Sequence, residues 1–322
     1  MPEQNDKTTV IIGAGAVGLA LGSCLHAAGR SVHFVLRDSP APHTIERFGI
    51  RRTGLLGEQR VPASALGVSR SIADLDGLAM DSILVCTKST ANEDIVPALA
   101  ALWPKLSENV QLVVCQNGWG NLDAFAAALD PERVACASIL TGFRRNEEYR
   151  VEITVHARSI QIGYLHSTDH RALEPLCQAI DQGGIPCETS ETIGADLAAK
   201  LLYNCLLNPL GALARVPYGK LAEEDSARKI MEATAREIFE VLTAAGIATH
   251  WPNAESYLAS FYRDLLPPTA EHESSMLQDL EAGRRTEIDA LCGAVVKLGR
   301  PLGVATPVNI ALRDLIRAAE RR

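Results

Sequence analysis

The segment from Thr8 to Leu36 constrains the fold more than any other. Thr8-Thr-Val-Ile-Ile12 is a β-branched run of the kind that forms a buried parallel strand. Gly13-Ala-Gly15-Ala-Val-Gly18 follows it directly, Leu19–Ala28 has helical spacing and stops at Gly29, and Ser31–Leu36 is a second strand run. Strand, G-x-G-x-x-G, helix and strand in this order make a βαβ unit. In such a unit the first glycine makes a tight turn and the second lets the backbone approach a pyrophosphate. The third lets the helix pack on the strand, and the helix N-terminus supplies free N–H groups. The motif therefore predicts a dinucleotide site built on Gly13, Ala14, Gly15, Ala16, Val17 and Gly18.

The end of the second strand decides which dinucleotide. It reads Leu36-Arg37-Asp38. Arg37 is placed to pair with a 2′-phosphate, which favours NADPH. Asp38 is the kind of residue that holds a free ribose hydroxyl, so a shift of one residue would invert the preference. An exposed strand-end charge is the plainer reading of Arg37. Ser82–Thr87 is another buried strand run followed by Lys88, and Val110–Cys115 is followed by Gln116-Asn117-Gly118-Trp119-Gly120. Ligands gather at the C-terminal ends of parallel strands, which puts Lys88 and Asn117 in range. A solvated loop lysine, and an asparagine in a left-handed turn position, are the structural alternatives. Val134–Ile139, Tyr149–Val155 and Ser159–Gly163 continue the strand pattern, the last two reading as an antiparallel pair. The segment 171–182 has helical spacing and Ile185–Thr189 reads as a closing strand.

Beyond about residue 190 strand-like runs stop. Helical spacing covers 196–214, Ser226–Ala245, Ala254–Leu265, Glu271–Ala282 and Glu287–Leu298, and Thr306-Pro307 opens a last helix with an N-cap residue and a first-position proline. The expected fold is α/β: an N-terminal Rossmann-type dinucleotide-binding domain over 1–189, followed by an all-helical domain over 190–322.

Within the helical half, Lys200, Asn204 and Asn208 are each four residues apart, and the positions between them are Leu, Leu, Tyr, Cys, Leu and Leu. On a helix that spacing gathers the three polar groups on one face. An apolar helix with one polar stripe is the reverse of a surface helix. The stripe either faces a cavity that a polar ligand enters or forms a buried network that pins the helix to its neighbours. A cation and two carboxamides can recognise a carboxylate or carbonyl, and the ammonium can deliver a proton. Ser275 and Glu287 would stand about 18 Å apart on an unbroken helix. Gly283 and Thr286 predict a break that lets the chain fold back, although Glu287 also suits a first-turn acid on the helix dipole.

The formal charge of −8 argues against a non-specific nucleic-acid binder. Eight cysteines without a C-x-x-C pair fit buried thiols in a reducing compartment. The histidines show no metal-ligand spacing. The polar N-terminus is too short for a signal-peptide core and no stretch reads as long and apolar enough to span a bilayer, so a cytoplasmic protein without a membrane partner is expected.

Taken together, Gly13–Gly18, Lys88, Gln116-Asn-Gly-Trp-Gly120, Lys200-x-x-x-Asn204-x-x-x-Asn208-Pro-Leu, Ser274-Ser-Met-Leu-Gln-Asp279, Thr286-Glu-Ile-Asp289 and Thr306-Pro-Val-Asn309 resemble the ketopantoate reductases (2-dehydropantoate 2-reductases) over nearly the whole chain. The resemblance implies NADPH-dependent reduction of the ketone of a small 2-oxo acid, by a monomer or homodimer. It implies Lys200 as general acid and Glu287 as the group that holds the substrate hydroxyl and orients the lysine. Asn117 would position substrate and nicotinamide, and Asn204, Asn208 and Ser275 would bind substrate. Arg37 and Lys88 would meet the adenosine phosphate end of the cofactor. Three positions depart from the family's pattern. His272 and Tyr218 replace asparagines on the substrate side, and Gly211 replaces a threonine. His272 is thus expected to line the substrate pocket, and a 2-oxo acid other than ketopantoate is a fair alternative. A β-hydroxyacid-type dehydrogenase and a non-catalytic NADPH-binding sensor are the remaining rivals.

Overall fold

The computed structural model describes residues 8–36 and 40–321. Arg37 and Asp38 lie outside the described residues, so the cofactor preference read from them stays a sequence-based expectation. The chain divides into two compact units. The first comprises residues up to Gln116 with Asn121–Ile193, and the second comprises Asn117–Gly120 with the residues from Gly194 onward.

The strands of the first unit are β1 (Thr8–Ile12), β2 (Ser31–Val35), β3 (Ile50–Gly54), β4 (Gln59–Val61), β5 (Leu66–Ser69), β6 (Ser82–Val85), β7 (Gln111–Val114), β8 (Val134–Ser138), β9 (Thr141–Glu147), β10 (Arg150–His156), β11 (Ile160–Tyr164) and β12 (Cys187–Thr189). Eight of them form one sheet in the order β12-β11-β8-β7-β6-β1-β2-β5. The run from β5 to β8 is parallel. β1 lies between β2 and β6, where successive connections leave in opposite directions, and that reversal opens a crevice at the strand C-termini. The central strands are buried on both faces, Val10, Ile11, Ile83, Leu84 and Val85 being fully covered, which is why they read as continuous apolar runs.

The other four strands make a separate sheet, β4-β3-β10-β9. Here the structure corrects the sequence reading. β10 does not pair with β11; it is antiparallel to β9, with Ile153 opposite Phe143, while β11 joins the large sheet against β8. The alternation of β10 is a two-sided signal that names a strand but no neighbour.

The second unit is helical, with no strand among its described residues. The long helix Ile193–Ala214 has every residue from Ala198 to Ala212 buried. Contrary to the expectation from sequence, it is long and apolar enough to cross a bilayer by length and composition, with a mean hydropathy of 1.2. However, 83% of that window is buried inside the protein, so it is a core helix of this unit. Lys200, Asn204 and Asn208 break the run into pieces that look too short. The expected break after residue 282 is present: Gly283 takes φ +62 and ends the Ser275–Glu281 helix. The segment expected as a single helix from Glu287 is instead a 3-10 turn, Ile288–Ala290, and a separate helix, Cys292–Gly299.

The last helix, Pro307–Ala319, starts at Thr306 as predicted, but Thr306 makes no side-chain cap. The cap comes from another helix. The Glu237 carboxylate, on Asp225–Ala244, accepts from the Val308 N–H at 2.7 Å, the Asn309 N–H at 3.0 Å and Asn309 Nδ2 at 2.8 Å. A buried acid thus meets the positive end of a helix dipole. Hydrogen bonds to a charged group contribute about 1.5–3 kcal/mol. Glu237→Ala should therefore lower the thermal midpoint by several degrees, as read by calorimetry, and leave the secondary structure of the first unit unchanged.

Candidate active site

In the first unit the glycine loop has the form its sequence requires. Gly13 turns at φ +102, and a Cβ there would meet Thr87 Cγ2 at 2.7 Å. A Cβ at Gly18 would stand 2.1 Å from the Gly13 carbonyl oxygen, so this position admits no side chain. Gly15 caps the Ala16–Ala27 helix and is open: its nearest neighbour to an added Cβ is the Cys86 carbonyl oxygen at 3.6 Å. A cavity of about 570 Å³ lies against it, lined by Gly13, Ala14, Gly15, Leu36, Thr87 and Lys88 among others. That is the volume range of small-molecule sites. Ala16 and Val17 instead pack on the core, and Gly18 is buried behind the loop.

Five polar residues that the sequence reading did not single out join this cavity: Arg70, Ser71, Thr90, Asp94 and Arg145. Arg145 donates from Nη1 to the Ala14 carbonyl oxygen at 3.3 Å, which brings a cation to the loop where a pyrophosphate would sit. Arg70 follows β5, whose Ser69 is in register with Val35 of β2, so it stands at the same sheet edge as the end of β2. It grips the Glu46 carboxylate at 2.9 and 2.8 Å. The pairing of β5 with β2 was the missing signal, and spacing in sequence does not carry it. Cys86 behind the loop is inert: its hydrogen bond with Cys115, then burial, push the thiol up, and it stays protonated.

In the second unit, Lys200, Asn204 and Asn208 are 4%, 9% and 5% exposed on one face of the long helix. The stripe extends one turn further back than the motif, to Asp196, which is 1% exposed and bonded to His250 Nε2 at 2.8 Å. At its other end, Asn208 Oδ1 accepts from the Tyr218 hydroxyl at 2.5 Å, and the Asn208 carbonyl accepts from Ser274 Oγ at 2.9 Å. Ser274, passed over in favour of its neighbour, is fully buried and caps the Ser275–Glu281 helix, whereas Ser275 is exposed on the first turn. His272 packs its ring edge-on to Tyr218 at 5.3 Å.

Asn117 belongs to this unit. Its Nδ2 donates to Glu287 Oε2 at 3.0 Å. The positive φ angles of the turn fall on Gly118 and Gly120, and among the described residues Arg215 is the sole non-glycine with one. Asn117 is therefore not a left-handed turn residue, and its amide meets the carboxylate. The turn is seated by Trp119 N–H donating to the Ala290 carbonyl at 2.8 Å, and a Cβ at Gly118 would lie 2.4 Å from that same oxygen. Glu287 does not cap the turn it opens. Thr286 does that work, donating to Glu320 at 2.6 Å and accepting from the Ile288 N–H at 3.3 Å.

Two family descriptions match the chain: "Ketopantoate reductase PanE/ApbA" over residues 9–167 and "Ketopantoate reductase PanE/ApbA C terminal" over residues 192–320. A curated 2-dehydropantoate 2-reductase of Aquifex aeolicus is 33% identical over 312 residues, covering 97% of this chain and 96% of the relative. The crystal structure of a ketopantoate reductase of Ralstonia eutropha superposes with a TM-score of 0.80 at 30% identity over 98% of both chains. A D-mandelate dehydrogenase solved with NADH and anilino(oxo)acetate shares the fold, with a TM-score of 0.84 at 22% identity over 98% of both chains.

The seating of the turn can be broken without touching Asn117 or Glu287. Gly118→Ala meets both the Ala290 oxygen and a φ that costs a non-glycine residue about 1–3 kcal/mol. It should lower the unfolding midpoint in denaturant and redden the emission of Trp119 as the turn lifts.

Proposed function

The chain belongs to the ketopantoate reductase family, and from that premise we propose that it reduces 2-dehydropantoate to pantoate with NADPH, in the route to pantothenate and coenzyme A. The observation that carries this reading is the buried stripe of one ammonium and two carboxamides on an otherwise apolar helix. Such an arrangement suits a small anion with a carbonyl, and family membership gives the anion its identity.

The glycine loop, Thr87, Lys88 and Arg145 would hold the dinucleotide, with its pyrophosphate against Gly15 and the helix N-terminus. Arg70, after β5 and beside the end of β2, favours a 2′-phosphate there, in keeping with the sequence reading of Arg37. Bound in this way, NADPH supplies the hydride that adds to the 2-oxo carbon. The chain's own residues handle the charge and the proton. The Lys200 ammonium stabilises the negative oxygen as it forms and donates a proton to it, giving the hydroxyl of the product. The Glu287 carboxylate, held by Asn117, accepts from that hydroxyl and favours the charged lysine. Asn204, Asn208, Ser275 and His272 meet the rest of the substrate. We place the reaction in the cytoplasm; the eight cysteines, none in a disulfide, support a reducing compartment.

A second reading, a different 2-oxo acid as the best substrate, draws on the aromatic pair Tyr218 and His272. A panel of 2-oxo acids separates the two, because ketopantoate should give the highest kcat/KM. Lys200→Ala should cut kcat by about 10²–10⁴-fold, the usual worth of a positioned general acid. NADPH binding, measured by fluorescence, should stay within twofold of the parent. Retained turnover in that variant would remove Lys200 from the chemistry. Arg70→Ala should weaken NADPH binding at least fivefold while leaving NADH binding alone, and equal loss of both would assign Arg70 to the Glu46 contact only.

A further inference from the structure

The positions that depart from the family's pattern, Gly211, Tyr218 and His272, come together around Asn208. Tyr218 is 3% exposed and starts the helix Tyr218–Glu223. Its backbone is pinned, the Tyr218 N–H donating to the His272 carbonyl at 3.1 Å and the Gly219 N–H to the Ala270 carbonyl at 2.8 Å. Its ring is held edge-on between Tyr203 at 6.2 Å and His272 at 5.3 Å. Residue 211 packs directly on this ring: a Cβ there would lie 3.4 Å from Tyr218 Cε1 and 3.4 Å from Ser274 Cβ.

The hydroxyl of this fixed ring ends 2.5 Å from Asn208 Oδ1. The hydroxyl donates to Oδ1, and this contact turns Nδ2 of the carboxamide away from the phenol. Burial pushes the Tyr218 phenol well up, so it stays protonated and donates. No described residue accepts a hydrogen bond from Asn208 Nδ2. The Asn208 main chain is held as well, by Ser274 Oγ at 2.9 Å.

We propose that Tyr218 is a positioning residue that locks the carboxamide of Asn208, so that Asn208 offers its ligand N–H donors and the ligand group it meets is an acceptor. The acceptor of the right class is the carboxylate or carbonyl oxygen of a 2-oxo acid. This rests on the reading of Asn208 as a substrate contact, and the experiment separates the two.

Tyr218→Phe deletes one hydroxyl and keeps the ring. It should raise KM for the 2-oxo acid about tenfold, leave kcat and the KM for NADPH within twofold, and add nothing when combined with Asn208→Ala. Asn208→Asp keeps an oxygen for the phenol and puts an acceptor where Nδ2 was, so its KM should rise at least tenfold. A Tyr218→Phe enzyme with a lower melting temperature and an unchanged KM, beside an Asn208→Ala enzyme with a raised KM, would overturn the lock and leave the substrate contact standing. An unchanged KM in Asn208→Ala and Asn208→Asp would overturn the contact itself, and the lock with it.

Discussion

An ammonium buried among leucines is the constraint on which the second unit depends. Moving a charge out of water is costly unless polar groups replace the solvent, and a core helix has few to offer, because its own backbone bonds are used internally. The long helix carries its buried polar residues along one face, from Asp196 through Lys200 and Asn204 to Asn208. Neighbouring elements then fix the two ends, His250 at Asp196, and Tyr218 with Ser274 at Asn208. Polar groups at the ends with partners from three other segments cannot rotate away without leaving several hydrogen bonds unmade, and that is what makes the face a rigid template.

Two backbone positions do comparable work through what they lack. Gly18 lets a helix pack on a turn where a Cβ would stand 2.1 Å from the Gly13 carbonyl oxygen, and Gly118 lets a turn rest on the Ala290 carbonyl. The first shapes a cavity edge of bare N–H groups. The second delivers Asn117 to Glu287 from a segment far away in sequence. In both cases a small residue brings backbone against backbone, and the functional groups next to it inherit a fixed position.

What sequence could and could not reveal follows from the range of the interaction. The βαβ unit, the long helix and the break at Gly283 are local, set by period, glycine and short spacing, and each is present in the structure. The polar stripe was legible for the same reason, since i, i+4 spacing is a property of one helix. Partners of strands and caps are non-local. β10 chose β9 over β11, Glu237 displaced Thr306 as the cap of the last helix, and Arg70 reached the cavity because β5 pairs with β2. None of these choices leaves a mark on the residues nearby. Ser274 and Ser275 show the limit most sharply. The two are chemically identical, and one residue of helical phase decides which is buried on Asn208 and which stays exposed on the helix's first turn.

The bulky and the small residues around the long helix are unevenly placed along it. Lys200 and Asn208 are eight residues apart on a continuous helix, about 12 Å along its axis. Gly211, Tyr218 and His272 crowd the Asn208 end, while the Lys200 turn is flanked by alanine and leucine and keeps the ammonium. A change of volume at one end of a rigid, close-packed helix is absorbed where it occurs. Lys200, two turns away, need not shift, so the packing around Asn208 and the surroundings of the ammonium are held by different turns of the same helix.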